Sequence, residues 1–177
     1  MNKIFSFLTC MAVLGLPHHT LAASLDLTMP LDEMARKAKG KLESSDLFVR
    51  CGGLYSGIHR HLDPLNLDKN QVAPYERSKI IVTHFAAKIR HEALLDESKD
   101  ASQAEAVADE MIRQATLDVE QVSDFYMAEM QRVSASGVDV LATKMIRKDL
   151  FICRLITRSF APDANRGTPG KLPKLPN

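Results

Sequence analysis

Tryptophan is absent from this chain, and aromatic residues make up only 6% of it. Runs that alternate apolar and polar residues are missing too, so nothing argues for a sheet. Neither sign of charge is in clear excess: the formal net charge is +1. That balance gives no electrostatic case for nucleic acid, which shows as a basic face and a high pI. It gives no strong case for an anionic membrane either. After the first residues, no stretch approaches the roughly 18 uninterrupted apolar residues of a spanning helix. The chain has no Cys-x-x-Cys pair, which removes covalent haem attachment and the usual redox motif. It also has no Gly-x-Ser-x-Gly elbow, phosphate loop or dinucleotide fingerprint. No catalytic class is therefore legible.

What is present begins with a leader. Lys3 gives a short positive region, and Ile4 to Leu16 form an apolar stretch. That stretch is too short for an ordinary transmembrane helix and has the layout of a secretory signal peptide. Pro17 breaks it, and Thr20-Leu21-Ala22-Ala23 supplies small residues for cleavage after Ala22 or Ala23. A lipoprotein reading at Cys10 fits poorly, because Thr9 precedes it and too little apolar chain comes before. Residues 1–23 are thus expected to be a signal peptide, 24–160 a helical domain, and 161–177 a disordered or polyproline-like tail with four prolines and two glycines. Losing Lys3 with the leader takes the net charge from +1 to 0. The remaining length suits one domain with a real core.

Ala, Leu, Met, Glu, Lys and Arg dominate the mature chain, and these are helix formers. The apolar period is close to 3.6 through most of it. The spacing predicts a first helical region from Pro30 to Leu62, broken near Gly40 and Ser44-Ser45-Asp46, with one of those polar residues capping the second piece. A loop is expected over Leu62 to Ala73. A second helix should run from Pro74 to Glu97, with Ile80, Ile81, Val82, Phe85, Ala86, Ile89 and Ala93 inward and Thr83, His84, Lys88, Arg90 and His91 on the other side. A third is expected over Ser102 to Ser134, with a seam of Ala108, Ile112, Ala115, Val119, Val122, Tyr126 and Val133. Ser136-Gly137 breaks the chain before a fourth, Val138 to Phe160, with Leu141, Met145, Ile152 and Ile156 inward. The fold class is all-α: a four- to five-helix bundle, mostly antiparallel, tied by one interhelical disulfide.

Leader removal leaves two cysteines, Cys51 and Cys153. An even pair in an exported chain predicts a disulfide. Closing a loop of about 100 residues stabilises by about 4.7 kcal/mol on the chain-entropy argument. Beside Cys51 lie Gly52, Gly53 and Gly57, each costing a helix about 0.8–1 kcal/mol relative to alanine. Helix axes usually pack about 8–10 Å apart, whereas a cystine brings Cα atoms within about 4.4–6.8 Å. The glycines and Ser56 are therefore expected to let the Cys51 and Cys153 helices come close, with Tyr55 packing over the sulfurs.

Candidate chemistry is sparse. His84 and His91 share a helical face but sit seven residues apart, about 10 Å, which is too far to chelate one metal unaided. Met127 or Met130 could pair with His84 on haem, although methionines at helical spacing are ordinary core filler. Glu129 falls on the predicted seam, where burial would raise its pKa and suit a general acid. Asp118 and Asp149 occupy similar positions. The expected function is an exported, periplasmic or secreted, helical binding or interaction protein of the cell envelope. It would have an envelope protein as partner, no cofactor and no nucleic acid. The alternatives are a small-ligand, haem or metal carrier using His84, His91 and methionines, and a hydrolase centred on Glu129.

Overall fold

The computed structural model describes residues 25–65, 69–97 and 107–160. The expected leader, the tail, the middle of the 62–73 connection and the turn after Glu97 lie outside the described residues. Five helices appear among the described residues, with no strand. They are α1 (Leu31–Lys37), α2 (Lys41–Leu62), α3 (Lys69–Glu97), α4 (Ala108–Ser134) and α5 (Lys144–Phe160). Short 3-10 turns at Asp63–Leu65 and Val140–Ala142 precede α3 and α5. No described helix is long and apolar enough to cross a membrane.

The first region breaks where glycine stands. Pro30 and Gly40 flank the starts of α1 and α2, Gly40 in extended backbone. Ser44, Ser45 and Asp46 do not cap α2 but lie inside it. Ser44 donates back to the Gly40 carbonyl, Ser45 donates to the Ala86 carbonyl of α3, and Asp46 receives Arg90. Polar groups that favour a cap find acceptors or donors one turn back or across the interface instead.

The fold is organised around α2. Residues 47–58 are all buried, about 18 Å of helix with no solvent face. A helix buried on every side needs neighbours on every side, and α1, α3, α4 and α5 all pack on it. Direction can be read from paired residues. Ser45 meets Ala86 and His59 meets Glu76, so α3 runs against α2. Gly52 faces Val119 and Gly57 faces Tyr126, so α4 runs with α2. Arg50, Cys51 and Tyr55 meet Asp149, Cys153 and Thr157, so α5 also runs with α2.

Two boundaries and three faces differ from expectation. The predicted loop before Pro74 is partly helix: α3 starts at Lys69 and holds Pro74 within it. Proline forgoes one backbone donor there, while Val72 and Tyr75 are buried at helical spacing with Ser78 and Val82 and extend the inward stripe. On that stripe Ile80 points away and is 60% exposed, whereas Arg90 is buried. In α4 the inward steps run Ala115, Val119, Val122, Tyr126, Met130 and Val133, leaving Ile112 and Glu129 off the seam. A step of four after Tyr126 selects Met130, because an untwisted helix drifts from a strict heptad. The last helix begins at Lys144 rather than Val138, after Gly137 at φ +74° ends α4. Its inward residues are Ile146, Asp149, Leu150, Cys153 and Thr157, with Met145, Ile152 and Ile156 partly buried beside them.

Candidate functional site

The expected cystine is present. Cys51 and Cys153 are bonded with Cα atoms 5.3 Å apart, closing a loop of sequence separation 102. Both are fully buried. Tyr55, one turn on, forms a hydroxyl pair with Thr157 and has its ring beside Tyr75. Burial pushes its phenol up to about 12. The neighbouring glycines serve a different contact from the expected one. A methyl group at Gly52 would meet Val119 at 2.7 Å, and at Gly53 it would meet Val122 at 2.3 Å. At Gly57 it would meet Tyr126 at 3.1 Å. The glycines bring α4 against α2, while the cystine brings α5 against another side of α2.

Two ionic networks fill the core around this junction. Arg50 donates to Asp149 and to the Tyr126 hydroxyl, each at 3.1 Å, and to the carbonyl of Met29. The Tyr126 hydroxyl also donates to Asp149 at 2.6 Å. Burial, with Asp149 alongside, raises the Tyr126 pKa well above the tyrosine range. Arg90 donates to Asp118 at 2.6 Å and to Asp46 at 3.4 Å, and Gln114 donates to Asp118. Burial pushes the Asp46 carboxyl up, against the pull of Arg90. Asp118 and Asp149 are thus committed to internal partners. Arg50 and Arg90 were not singled out by sequence reasoning. The available signal was position: Arg50 interrupts the apolar run Leu47-Phe48-Val49, one residue before Cys51, and Asp149 sits four before Cys153.

Glu129 is a quarter exposed and bound through both carboxylate oxygens to Arg132. That pairing holds its carboxyl below the usual range, the opposite of what a general acid at neutral pH requires. His84 is exposed and His91 half-buried. Met127 is half-buried and Met130 fully buried. Among the described residues, no group of three or more His, Cys, Asp or Glu side chains is placed to hold a metal ion.

A mixed apolar and cationic face lies on the outside of α5. Asp139 accepts from the Leu141 backbone and Thr143 from Arg147, which sets the start of the helix. The inner stripe then fixes its rotation through Asp149, Cys153 and Thr157. On the opposite side Phe151 is 63% and Leu155 48% exposed. Lys144, Arg147, Lys148 and Arg158 stand exposed around them. Lys148 reaches Asp32 at 2.9 Å. No described carboxylate forms an ion pair with Lys144, Arg147 or Arg158. The apolar and cationic side chains share one face because the only carboxylate of α5, Asp149, points inward. Among known proteins, no family, no curated sequence and no solved structure matches this chain.

Proposed function

We propose that this chain is exported and acts as a non-enzymatic binding protein of the cell envelope, presenting the outer face of α5 to its partner. The leader-like residues 1–23 and the cystine support export, because such a bond persists in oxidising compartments. One observation carries the binding role. Two large apolar side chains, Phe151 and Leu155, stay in solvent on a helix whose rotation is fixed by Cys153, Asp149 and Thr157. Scattered exposed apolar residues need no explanation, but a pair at i and i+4 ringed by cations forms a patch.

The test is a photocrosslinking amino acid at Phe151, with a control at the exposed Gln121 of α4, in the full chain expressed in its own cells. Crosslinking to an envelope component from position 151 and not from 121 is expected. Equal or absent crosslinking from the two positions removes the proposal.

A further inference from the structure

We propose that the outer face of α5 docks on an anionic phospholipid surface. This rests on reading that face as the binding surface and names the partner's chemistry.

Near-zero net charge conceals a segregation. Positions 144–177 hold eight Lys and Arg against two Asp, whereas positions 24–143 hold fourteen against twenty Asp and Glu. The C-terminal part is therefore +6 and the rest of the mature chain −6. Asp149, one of those two aspartates, is buried against Arg50, so the outer face of α5 shows cations alone. At about 100° per residue, Phe151 and Leu155 lie roughly 20° to either side of Lys144, an arc of roughly 40°. Arg147 and Arg158 flank them on one side and Lys148 on the other. An apolar apex set among Lys and Arg is the arrangement of a helix that lies in a membrane interface. Each cation near an anionic surface strengthens partition by about fivefold. Beyond Phe160 the sequence adds Arg166, Lys171 and Lys174, with Leu172 and Leu175 each following one of the lysines.

A second copy is a poorer occupant. Four of the five carboxylates on the surface of α4 are engaged within their own fold: Glu110 with Arg113, Glu120 and Asp124 with Arg60, and Glu129 with Arg132, which leaves Asp109. An acidic partner protein is also less suited. A stable protein interface needs roughly 800 Å² from each side around a packed apolar centre, and this apex offers two apolar side chains. A bilayer accepts such side chains singly. The cystine adds rigidity, since the bond from Cys153 to Cys51 of α2 keeps Phe151 and Leu155 from turning inward.

The experiment floats the oxidised chain from residue 24 to 177 with vesicles of phosphatidylcholine alone or mixed with phosphatidylglycerol. Binding to the anionic vesicles only, released by salt, is expected. Arg147→Gln/Arg158→Gln should weaken it about 25-fold, and Phe151→Ser/Leu155→Ser at least about tenfold. All four side chains are exposed, so circular dichroism and urea midpoints should stay at the parent values. Absence of flotation overturns the lipid assignment, as does equal flotation with both vesicles. Salt-dependent binding that ignores Phe151→Ser/Leu155→Ser overturns the assignment to this face. If vesicles are ignored while position 151 crosslinks to a protein, the lipid proposal fails and the binding-face reading stands. If neither occurs, both fail.

Discussion

Placing a methyl group on Gly53 tests the packing of α2 at its tightest point. An alanine in an unhindered helix gains about 1 kcal/mol over glycine. At Gly53 the new carbon would lie 2.3 and 2.4 Å from Val122 side-chain atoms and 2.9 Å from the Ser123 backbone nitrogen. Carbon contacts relax only near 3.5–4.0 Å, so α4 would have to withdraw by about 1 Å. Overpacking of this kind costs about 1–3 kcal/mol. The backbone contact puts Gly53 at or beyond the upper end, so Gly53→Ala should lose about 2 kcal/mol net. With an m-value of about 2 kcal/mol/M, the urea midpoint of the oxidised chain should fall by about 1 M at unchanged slope. At Gly52 the three nearest atoms all belong to the side chains of Val119 and Thr83, which can give more easily than backbone, so Gly52→Ala should cost less. Gly57→Ala, with its nearest contact at 3.1 Å, should be close to neutral. Val122→Ala should recover part of the Gly53→Ala loss, a positive coupling measurable in a double-mutant cycle. A Gly53→Ala chain that is more stable than the parent by about 1 kcal/mol would refute the close approach of α2 and α4.

Other outcomes follow from the same core. Replacing Cys51 and Cys153 together by alanine should cost about 3–5 kcal/mol in urea unfolding, given the long closed loop; a loss below about 1 kcal/mol would show that the cystine contributes little to the fold. Asp118→Ala leaves buried Arg90 with only its longer, 3.4 Å contact to Asp46 and should cost about 3 kcal/mol, whereas Arg90→Met/Asp118→Leu should recover most of that. No recovery in the double variant would contradict the pairing. All three tyrosines, Tyr55, Tyr75 and Tyr126, have raised pKa values led by burial. Unfolded tyrosine ionises near pH 10, so the folded chain holds protons the unfolded chain has lost. Stability is full below about pH 10 and falls above it. For Tyr55 the loss is complete near its folded value of about 12. Ultraviolet titration should show no tyrosinate with a midpoint near pH 10 while circular dichroism remains native.

The sequence made some features legible for direct physical reasons. Helix-forming composition and 3.6-residue spacing revealed an all-α bundle. With Cys10 set aside in the leader-like segment, the two remaining cysteines could pair only with each other, and Cys51 and Cys153 do. The glycines signalled a close approach but not its partner, because α4 and α5 both lie on α2 and local spacing does not say which faces Gly53. Buried charge was the largest gap. Arg50 and Arg90 read as surface residues by polarity, and each is buried because an aspartate from another helix meets it. That pairing is a tertiary fact with no local pattern. The inward stripe of α3 was likewise displaced, since an inward Arg90 and an outward Ile80 reverse the polarity rule. The outer face of α5 needed the core to be known first. Phe151 and Leu155 are conspicuous only once Asp149 and Cys153 are seen to claim the opposite side.

The most direct measurement is peptide mapping by mass spectrometry of the chain recovered from cells, alkylated before any reduction. A cross-linked peptide joining Cys51 to Cys153, on a chain beginning after Ala22 or Ala23, is the expected result. Alkylated thiols at both Cys51 and Cys153, on a chain still beginning at Met1, would contradict both export and the covalent hold on α5.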